Sequence, residues 1–339
     1  MKAVVLSAPN EFALRADVPE PRPRAGEVLV RVRSTTMCGT DQKILAGQFP
    51  GTRFPHIPGH EFSGEIVDTG ERVGVEVHVG CGRCARCLEG LYQLCEHYGQ
   101  PETGHQHIGF TVPGGLAEYV AVPLKAVHRL PDNVDWDTGA FCDNIGVALY
   151  AVERGTVRAG ERVAVLGAGA FGALAAGVAR ALGAARVVLV GTRPERLQRL
   201  GSFADVLVSA AGDEAISQTR KALDGGADLV VEFAGTAEAA RQAILMARRG
   251  GRVVLAGSTG PGRELTGVDL SAIVRGHLDI YGALANPRGI SRRGLELLAR
   301  GAVDVRPLIT HHFRLDEFAE AWQTFVERRE GAIRVMLHP

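Results

Sequence analysis

The 339-residue sequence has little that would carry it to a membrane or to a polyanion. No apolar run approaches a membrane span, since even the region 163–182 is broken by glycines and by Arg180. The opening MKAVVLSAPNEFAL holds an apolar stretch too short for a secretory signal, and a proline interrupts it. Net charge is missing as well: 38 Lys+Arg stand against 38 Asp+Glu, which argues against a nucleic-acid or anionic-membrane partner. Aromatic residues make up only 6%, and neither an internal repeat nor a low-complexity tail is present. These absences leave an ordinary soluble globule, and a cytoplasmic location is expected.

Cysteine is scarce, six in all, but four of the six fall in the run CGRCARCLEGLYQLC. Cys81, Cys84, Cys87 and Cys95 follow the pattern C-x2-C-x2-C-x7-C, with Gly82 and Gly90 permitting the tight backbone that such a wrap requires. Four thiolates can close a tetrahedral shell around one Zn²⁺. A closed shell has no vacant position for substrate, so this zinc is expected to be structural. A pair of disulfides is the competing reading, disfavoured because no secretory signal accompanies the cysteines.

A chain of 339 residues is too long for one compact core, and two domains are expected. Residues 1–145 read as short strands, such as Val28–Val32 and Phe62–Val67, separated by Pro- and Gly-rich turns. From about residue 148 strands alternate with helical stretches, in RVAVLGAGAFGALAAGVARALGA, ARVVLVG, ADVLVS, ADLVVEFAG and GGRVVLAG. That alternation predicts an α/β fold with a parallel, doubly wound Rossmann sheet.

The first of those segments carries Gly167, Gly169, Phe171 and Gly172 in the order G-A-G-A-F-G, directly after an apolar strand and at the start of an Ala-rich helix. The glycines allow close backbone approach to a pyrophosphate, and the helix N-terminus offers it a positive dipole end. An NAD site normally places Asp or Glu at the end of the next strand, to hold the ribose hydroxyls. Here the chain reads Gly191-Thr192-Arg193-Pro194. Gly191 removes the carboxylate, Thr192 offers a hydroxyl, and Arg193 a fixed-charge fork suited to a 2′-phosphate. NADP is therefore expected ahead of NAD.

Three further clusters bear chemistry: Cys38-Gly39-Thr40-Asp41, Gly59-His60-Glu61 and Cys142-Asp143. One Cys, one His and one carboxylate make a three-ligand zinc site with an open fourth position. Together with the cysteine lobe and the glycine-rich turn, the sequence resembles the zinc-dependent medium-chain alcohol dehydrogenases, in particular the polyol and threonine dehydrogenase branch. The likeness runs from MKAVVL through CGTD, GHEFSGE, the cysteine lobe, GGLAEYV and GAGAFG to GAIRVML.

The resemblance implies a mainly β GroES-like catalytic domain over 1–147 and 288–339, with the zinc lobe at 78–97, and a Rossmann domain over 148–287. It implies two zinc ions per chain, with Cys38, His60 and Asp143 holding the catalytic one. Asp143-Asn144-Ile145 stands where the polyol branch has E-P-L; a cysteine-ligand branch would place the third ligand at Cys142 instead. Thr40 matches the residue that takes the substrate hydroxyl's hydrogen bond. Asp41 is expected to hold the ring of His60, and Glu61 to approach the zinc from behind or to exchange with a ligand. The family's usual outer relay histidine is replaced by Lys43. The segment 66–73, IVDTGERV, is about a dozen residues shorter than usual. His105 and His107 are expected to be ordinary loop histidines. The implied activity is hydride transfer between a secondary alcohol of polyol, sugar or aminocyclitol type and NADP, in a homodimer or homotetramer joined through the edge segment LDIYGAL, 278–284. A threonine 3-dehydrogenase, a simple secondary-alcohol dehydrogenase and, remotely, a non-catalytic NADPH-binding protein are the alternatives.

Overall fold

The computed structural model describes all residues except 50 and 259–261. Contacts divide the chain into two compact units. The first comprises Met1–Gly146, Asn286–Ala299 and Leu308–Pro339; the second comprises Val147–Ala285 and Arg300–Pro307.

The first unit is mainly β. Its seven-stranded sheet runs in the order Ile309–Arg314, Arg334–His338, Glu27–Thr36, Phe62–Ile66, Arg72–Val75, Val127–Arg129, and Tyr119–Pro123 pairs with Glu27–Thr36 as well. Ile309–Arg314 and Arg334–His338 pair in parallel; the other pairs are antiparallel. Alternating apolar side chains give each strand an inner face, and Val30, Val32, Phe62, Ile66, Val73, Val75, Val120 and Val122 fill the core. The shortened segment forms a tight hairpin between Phe62–Ile66 and Arg72–Val75, closed by the Ile66 amide on the Glu71 carbonyl, with Gly70 at φ +70°.

The second unit is a six-stranded, all-parallel sheet in the order Val206–Ser209, Arg186–Gly191, Arg162–Leu166, Ala227–Glu232, Ala247–Leu255, Asp279–Gly282. The order reverses between Arg162–Leu166 and Ala227–Glu232, which makes the C-terminal ends of those two strands the switch point of a doubly wound fold. Both faces are covered, so the strands read as continuous Val/Leu/Ala runs rather than alternating ones. Among the described residues no helix is long and apolar enough to cross a membrane.

Candidate active site

Three neighbouring antiparallel strands bring distant residues to one end of the seven-stranded sheet. Thr35 stands opposite Phe62 in one pair and opposite Leu337 in the other. Cys38 just past the first strand, His60 and Glu61 just before the second, and Arg334 at the start of the third therefore converge. Cys38 caps the helix Gly39–Leu45. Asp41, in the first turn of that helix, accepts from the Cys38 amide through Oδ2 (2.8 Å) and meets His60 Nδ1 through Oδ1 (3.1 Å). One carboxylate thus closes the helix start and orients the imidazole, leaving His60 Nε2 free to face the cluster.

The ligand atoms of Cys38, His60 and Glu61 all lie within 4.8 Å of one another, and all three residues are buried. Burial alone would push the Cys38 thiol up; the Arg334 charge and His60 outweigh it and bring its pKa down to about 5. The result is a thiolate, the form that binds metal. His60 is raised well above its usual value, because Asp41 overcomes the cost of burying a cation. Glu61 accepts from Asn144 Nδ2 (2.6 Å) and pairs with Arg334 Nη2 (3.1 Å), both at Oε1. Its Oε2 is buried without a hydrogen-bond partner. Burial pushes the Glu61 carboxyl up to about 8 even against Arg334, so without a further cation the group is mostly protonated at neutral pH, and a cation beside it would favour the ionised form. A thiolate, an imidazole and an orphan carboxylate oxygen form a donor set that suits Zn²⁺.

Asp143 lies outside that group of three. Its Oδ1 accepts from the Val77 amide and from Asn286 Nδ2, each at 3.2 Å. Burial raises it to about 7 against the Val77 bond, and His60 is among the charges that act on it. Cys142 turns elsewhere: a Cβ added at Gly74 would stand 3.1 Å from its Sγ, so the thiol packs on the strand Arg72–Val75, fully buried. Thr40 is half-buried, its hydroxyl 3.7 Å from Cys38 Sγ, and Lys43 is half-buried on the same short helix. Of the two expected loop histidines, His105 lies outside regular elements and His107 on the short strand Gln106–His107, and both are buried. His107 stacks on Phe110 at 3.6 Å, and Phe110 in turn lies 4.6 Å from the ring of His60.

In the lobe, Cys81 and Cys87 lie 3.9 Å apart and Cys84 and Cys95 4.0 Å apart, and none is in a disulfide. Zinc–sulfur bonds of about 2.3 Å require sulfur–sulfur edges of about 3.8 Å in a tetrahedron, which both separations match. The group whose ligand atoms all lie within 4.8 Å of one another, however, is Cys81, Cys84, Cys95 and His97, with His97 in the place expected of Cys87. Cys84 caps the helix Ala85–Leu88, and Gly80 leaves room for Cys87 and Tyr92, against which any side chain would collide. His97, which carried no expectation, places Nδ1 3.3 Å from Cys81 Sγ. Burial would raise the Cys81 thiol, but the Arg83 and Cys84 amides and His97 bring it to about 6.

In the second unit, Gly167 turns at φ +110° after Arg162–Leu166, where a Cβ would meet Ala234 N at 2.9 Å, and Gly169 caps the helix Ala170–Ala181. Gly172 presses on the Gly167 carbonyl, and Phe171 stacks on Phe233 at 5.9 Å. Gly191 ends its strand with a packing reason of its own: a Cβ there would lie 2.5 Å from the Cβ of Ala168. Thr192 and Arg193 are exposed, Arg193 capping the helix Pro194–Arg199. The arginine that leans over the glycine turn is Arg196, half-buried, with Nη2 4.0 Å from a Cβ built on Gly169.

The family model described as the alcohol dehydrogenase GroES-like domain matches residues 24–132, and that described as zinc-binding dehydrogenase matches 170–300. An L-threonine 3-dehydrogenase of Streptomyces coelicolor is 34% identical, with 98% of each chain aligned. The chain belongs to the zinc-binding alcohol dehydrogenase family. Within that family it falls in the polyol and threonine branch: a sorbitol dehydrogenase of Bacillus subtilis is 28% identical over 100% of this chain and 97% of that one. Among solved structures, a protein described as a zinc-binding dehydrogenase of Sinorhizobium meliloti, bound to NADP, superimposes with a TM-score of 0.89 at 30% identity, covering 100% of this chain and 99% of that one. Galactitol-1-phosphate dehydrogenase from Escherichia coli gives 0.88 at 27% identity, with both chains covered in full. The GroES-like and Rossmann folds expected from the sequence are those of the family.

Proposed function

We propose that this protein interconverts a secondary alcohol of polyol, sugar or aminocyclitol type and its ketone, with NADP as hydride carrier. The observation that carries the reading is the buried cluster of Cys38, His60 and Glu61, in which one carboxylate oxygen lacks a partner. Cys38 and His60 would hold the catalytic zinc together with Glu61 or Asp143, and the four lobe cysteines a second, structural ion. Bound there, zinc lowers the pKa of an alcohol oxygen, and the nicotinamide accepts the hydride. Asp41 engages Nδ1 of His60, so that Nε2 is the ring nitrogen that would turn to zinc on losing its proton. Thr40 sits beside Cys38, where its hydroxyl can take the substrate's proton and hand it outward. Lys43, three residues on along the helix, is the group at which that path would reach solvent or a polar substrate atom.

For the cofactor, Gly191 leaves no carboxylate to repel a 2′-phosphate, and Thr192, Arg193 and Arg196 supply a hydroxyl and two guanidinium forks. The zinc-binding dehydrogenase of Sinorhizobium meliloti, similar over its whole length, is bound to NADP. A threonine 3-dehydrogenase is the second reading, favoured by the 34% identity to the Streptomyces coelicolor enzyme. A panel of polyols, cyclitols, L-threonine and 2-alkanols, each with NAD⁺ and NADP⁺, separates them. The highest kcat/KM is expected for a polyhydroxy substrate with NADP⁺; a preference for L-threonine with NAD⁺ would overturn the proposal.

The edge strand Asp279–Gly282 would join two copies. It ends the parallel sheet, and Leu270, Val274, Ile280 and Leu284 around it are exposed. Pairing across a two-fold axis would cover both the open edge and these side chains.

A further inference from the structure

Outside both cysteine-containing clusters, one group of side chains in the first unit has metal-binding geometry. His312 lies on the edge strand Ile309–Arg314, His338 on the adjoining Arg334–His338, and Asp137 on the short helix Trp136–Gly139. Their ligand atoms all fall within 4.8 Å of one another. His312 Nδ1 is 3.2 Å from His338 Nε2 and 3.6 Å from Asp137 Oδ2. Metal–ligand bonds of about 2.0–2.1 Å place tetrahedral ligands about 3.3 Å apart, so both separations match a shared ion.

The surroundings hold these atoms in a binding state. His338 Nδ1 faces the Arg33 carbonyl at 3.3 Å, Ser34 Oγ at 3.4 Å and Asp137 Oδ1 at 3.7 Å; these oxygens draw the ring proton to Nδ1 and leave Nε2 with its lone pair toward His312. Ser34 Oγ donates to Asp137 Oδ1 at 2.5 Å, which anchors the carboxylate and leaves Oδ2 as the oxygen nearest His312. The two imidazole planes lie 7° from parallel. His312 is 54% exposed, so an ion and its remaining water ligands can enter from solvent. Without an ion the contact can be only a single N–H···N hydrogen bond between rings.

We propose that His312, His338 and Asp137 form a further divalent transition-metal site, of zinc or cobalt class, that clamps the edge strand Ile309–Arg314 to the body of the sheet. Imidazole and carboxylate donors suit these borderline ions. The clamp ties together three chain segments at an otherwise open sheet edge, and metal binding adds to stability by mass action.

The test uses tag-free protein, dialysed against a weak chelator and then titrated with Zn²⁺ and, separately, Co²⁺. Bound metal is counted by elemental analysis, and Co²⁺ is followed by absorption. Wild type should bind one equivalent more than His312→Ala, and the extra Co²⁺ should add a d–d band without the thiolate charge-transfer band of cysteine sites. Asp137→Asn should weaken that equivalent at least tenfold, and added Zn²⁺ should raise the melting temperature of wild type but not of His312→Ala. Equal stoichiometry and midpoint in wild type and His312→Ala would overturn the site, leaving a hydrogen-bonded histidine pair. It would equally be overturned if the metal lost in the variant took thiolate absorption with it. His312 is exposed, so its variant decides the matter even if His338→Ala fails to fold.

Discussion

Replacing Gly191 with aspartate, the substitution that would turn the proposed NADP site toward NAD, is expected to fail by itself. The change restores the carboxylate that grips ribose hydroxyls in NAD sites and repels a 2′-phosphate. Its Cβ, however, would lie 2.5 Å from the Cβ of Ala168, a separation that real side chains do not adopt. Ala168 sits in the glycine-rich turn itself, between Gly167 and Gly169, so relief must come from moving the segment that cradles the pyrophosphate. Overpacking of this kind costs about 1–3 kcal/mol. Gly191→Asp should therefore lose stability by about that amount and lose kcat/KM with both cofactors. In the pair Gly191→Asp/Ala168→Gly the offending methyl is gone. A Gly for Ala exchange in a loop costs about 0.4–1 kcal/mol, so the double variant should recover most of the stability and only then show preference for NAD⁺. The loss of NADP⁺ efficiency, from repulsion between the new carboxylate and the 2′-phosphate, should be about ten- to a hundredfold, on the order of one charge-assisted contact of about 1.5–3 kcal/mol. Chemical denaturation and kcat/KM for both cofactors, on wild type, both single variants and the pair, are the measurements. If Gly191→Asp alone is as stable as wild type and prefers NAD⁺, the packing argument is wrong.

At the proposed catalytic zinc, Cys38→Ser and His60→Ala should each abolish turnover and cost one metal per chain, whereas Cys142→Ala should leave both unchanged. Comparing Glu61→Gln with Asp143→Asn by metal content identifies the third ligand, which is whichever carboxamide releases the ion. Cys84→Ser should lower the melting temperature while enzyme that remains folded keeps most of its turnover; a stable but inactive variant would contradict a structural lobe. Asp228 is held below the ordinary carboxylate range: burial pushes it up, but the Arg162 amide at 2.7 Å and the Arg248 guanidinium at 2.5 Å outweigh that. Its stabilisation, about 1.5–3 kcal/mol, is thus complete above the unfolded carboxyl's pKa of about 3.9 and is lost as pH falls through the lower folded value, and Asp228→Asn should flatten that acid slope in urea titrations. Ile280→Asp on the edge strand should convert a dimer or tetramer to smaller species by light scattering, and a wild-type monomer at micromolar concentration would remove the premise.

What could be read from the sequence depended on how local the signal was. The parallel sheet was legible because strand, glycine turn and helix follow one another within a few residues, as in RVAVLGAGAFGALAAG. The cysteine run was visible for the same reason, whereas His97, sixteen residues from the Cys81 it faces, was not. Asp41 stands three residues from Cys38, a helical spacing that lets it reach back to the cap, yet its contact with His60 spans 19 residues and came from the family likeness alone. Arg334 and Asn144 were not assigned roles, although both hold Glu61. Their contacts cross 273 and 83 residues: strand register brings in Arg334, and the first turn of the helix Cys142–Arg154 brings in Asn144. The Ala168–Gly191 contact was invisible for another reason: a missing side chain reads as a cofactor signal until the facing methyl is seen.

The same register explains why an arginine is tolerated in a fully buried position beside a metal-binding cluster. Arg334 is 3% exposed, and an isolated guanidinium there would carry a large desolvation cost. It donates to the Met37 carbonyl at 3.0 Å, the last backbone acceptor before Cys38, and pairs with Glu61 at 3.1 Å. Its charge favours the Cys38 thiolate, while Asp41 favours a positive His60. The Cys38 thiolate, the Asp41 carboxylate and the buried Glu61 carboxyl are thus set against one permanent cation and one titratable ring. Cys38 and His60 would hold zinc with Nε2 deprotonated, and the ion would supply two positive charges where the ring had carried one. Arg334, fixed by the strand Arg334–His338 and not by an ion, favours the Cys38 thiolate and occupies Glu61 Oε1, so that Oε2 is the oxygen left that would meet a cation at the proposed zinc site.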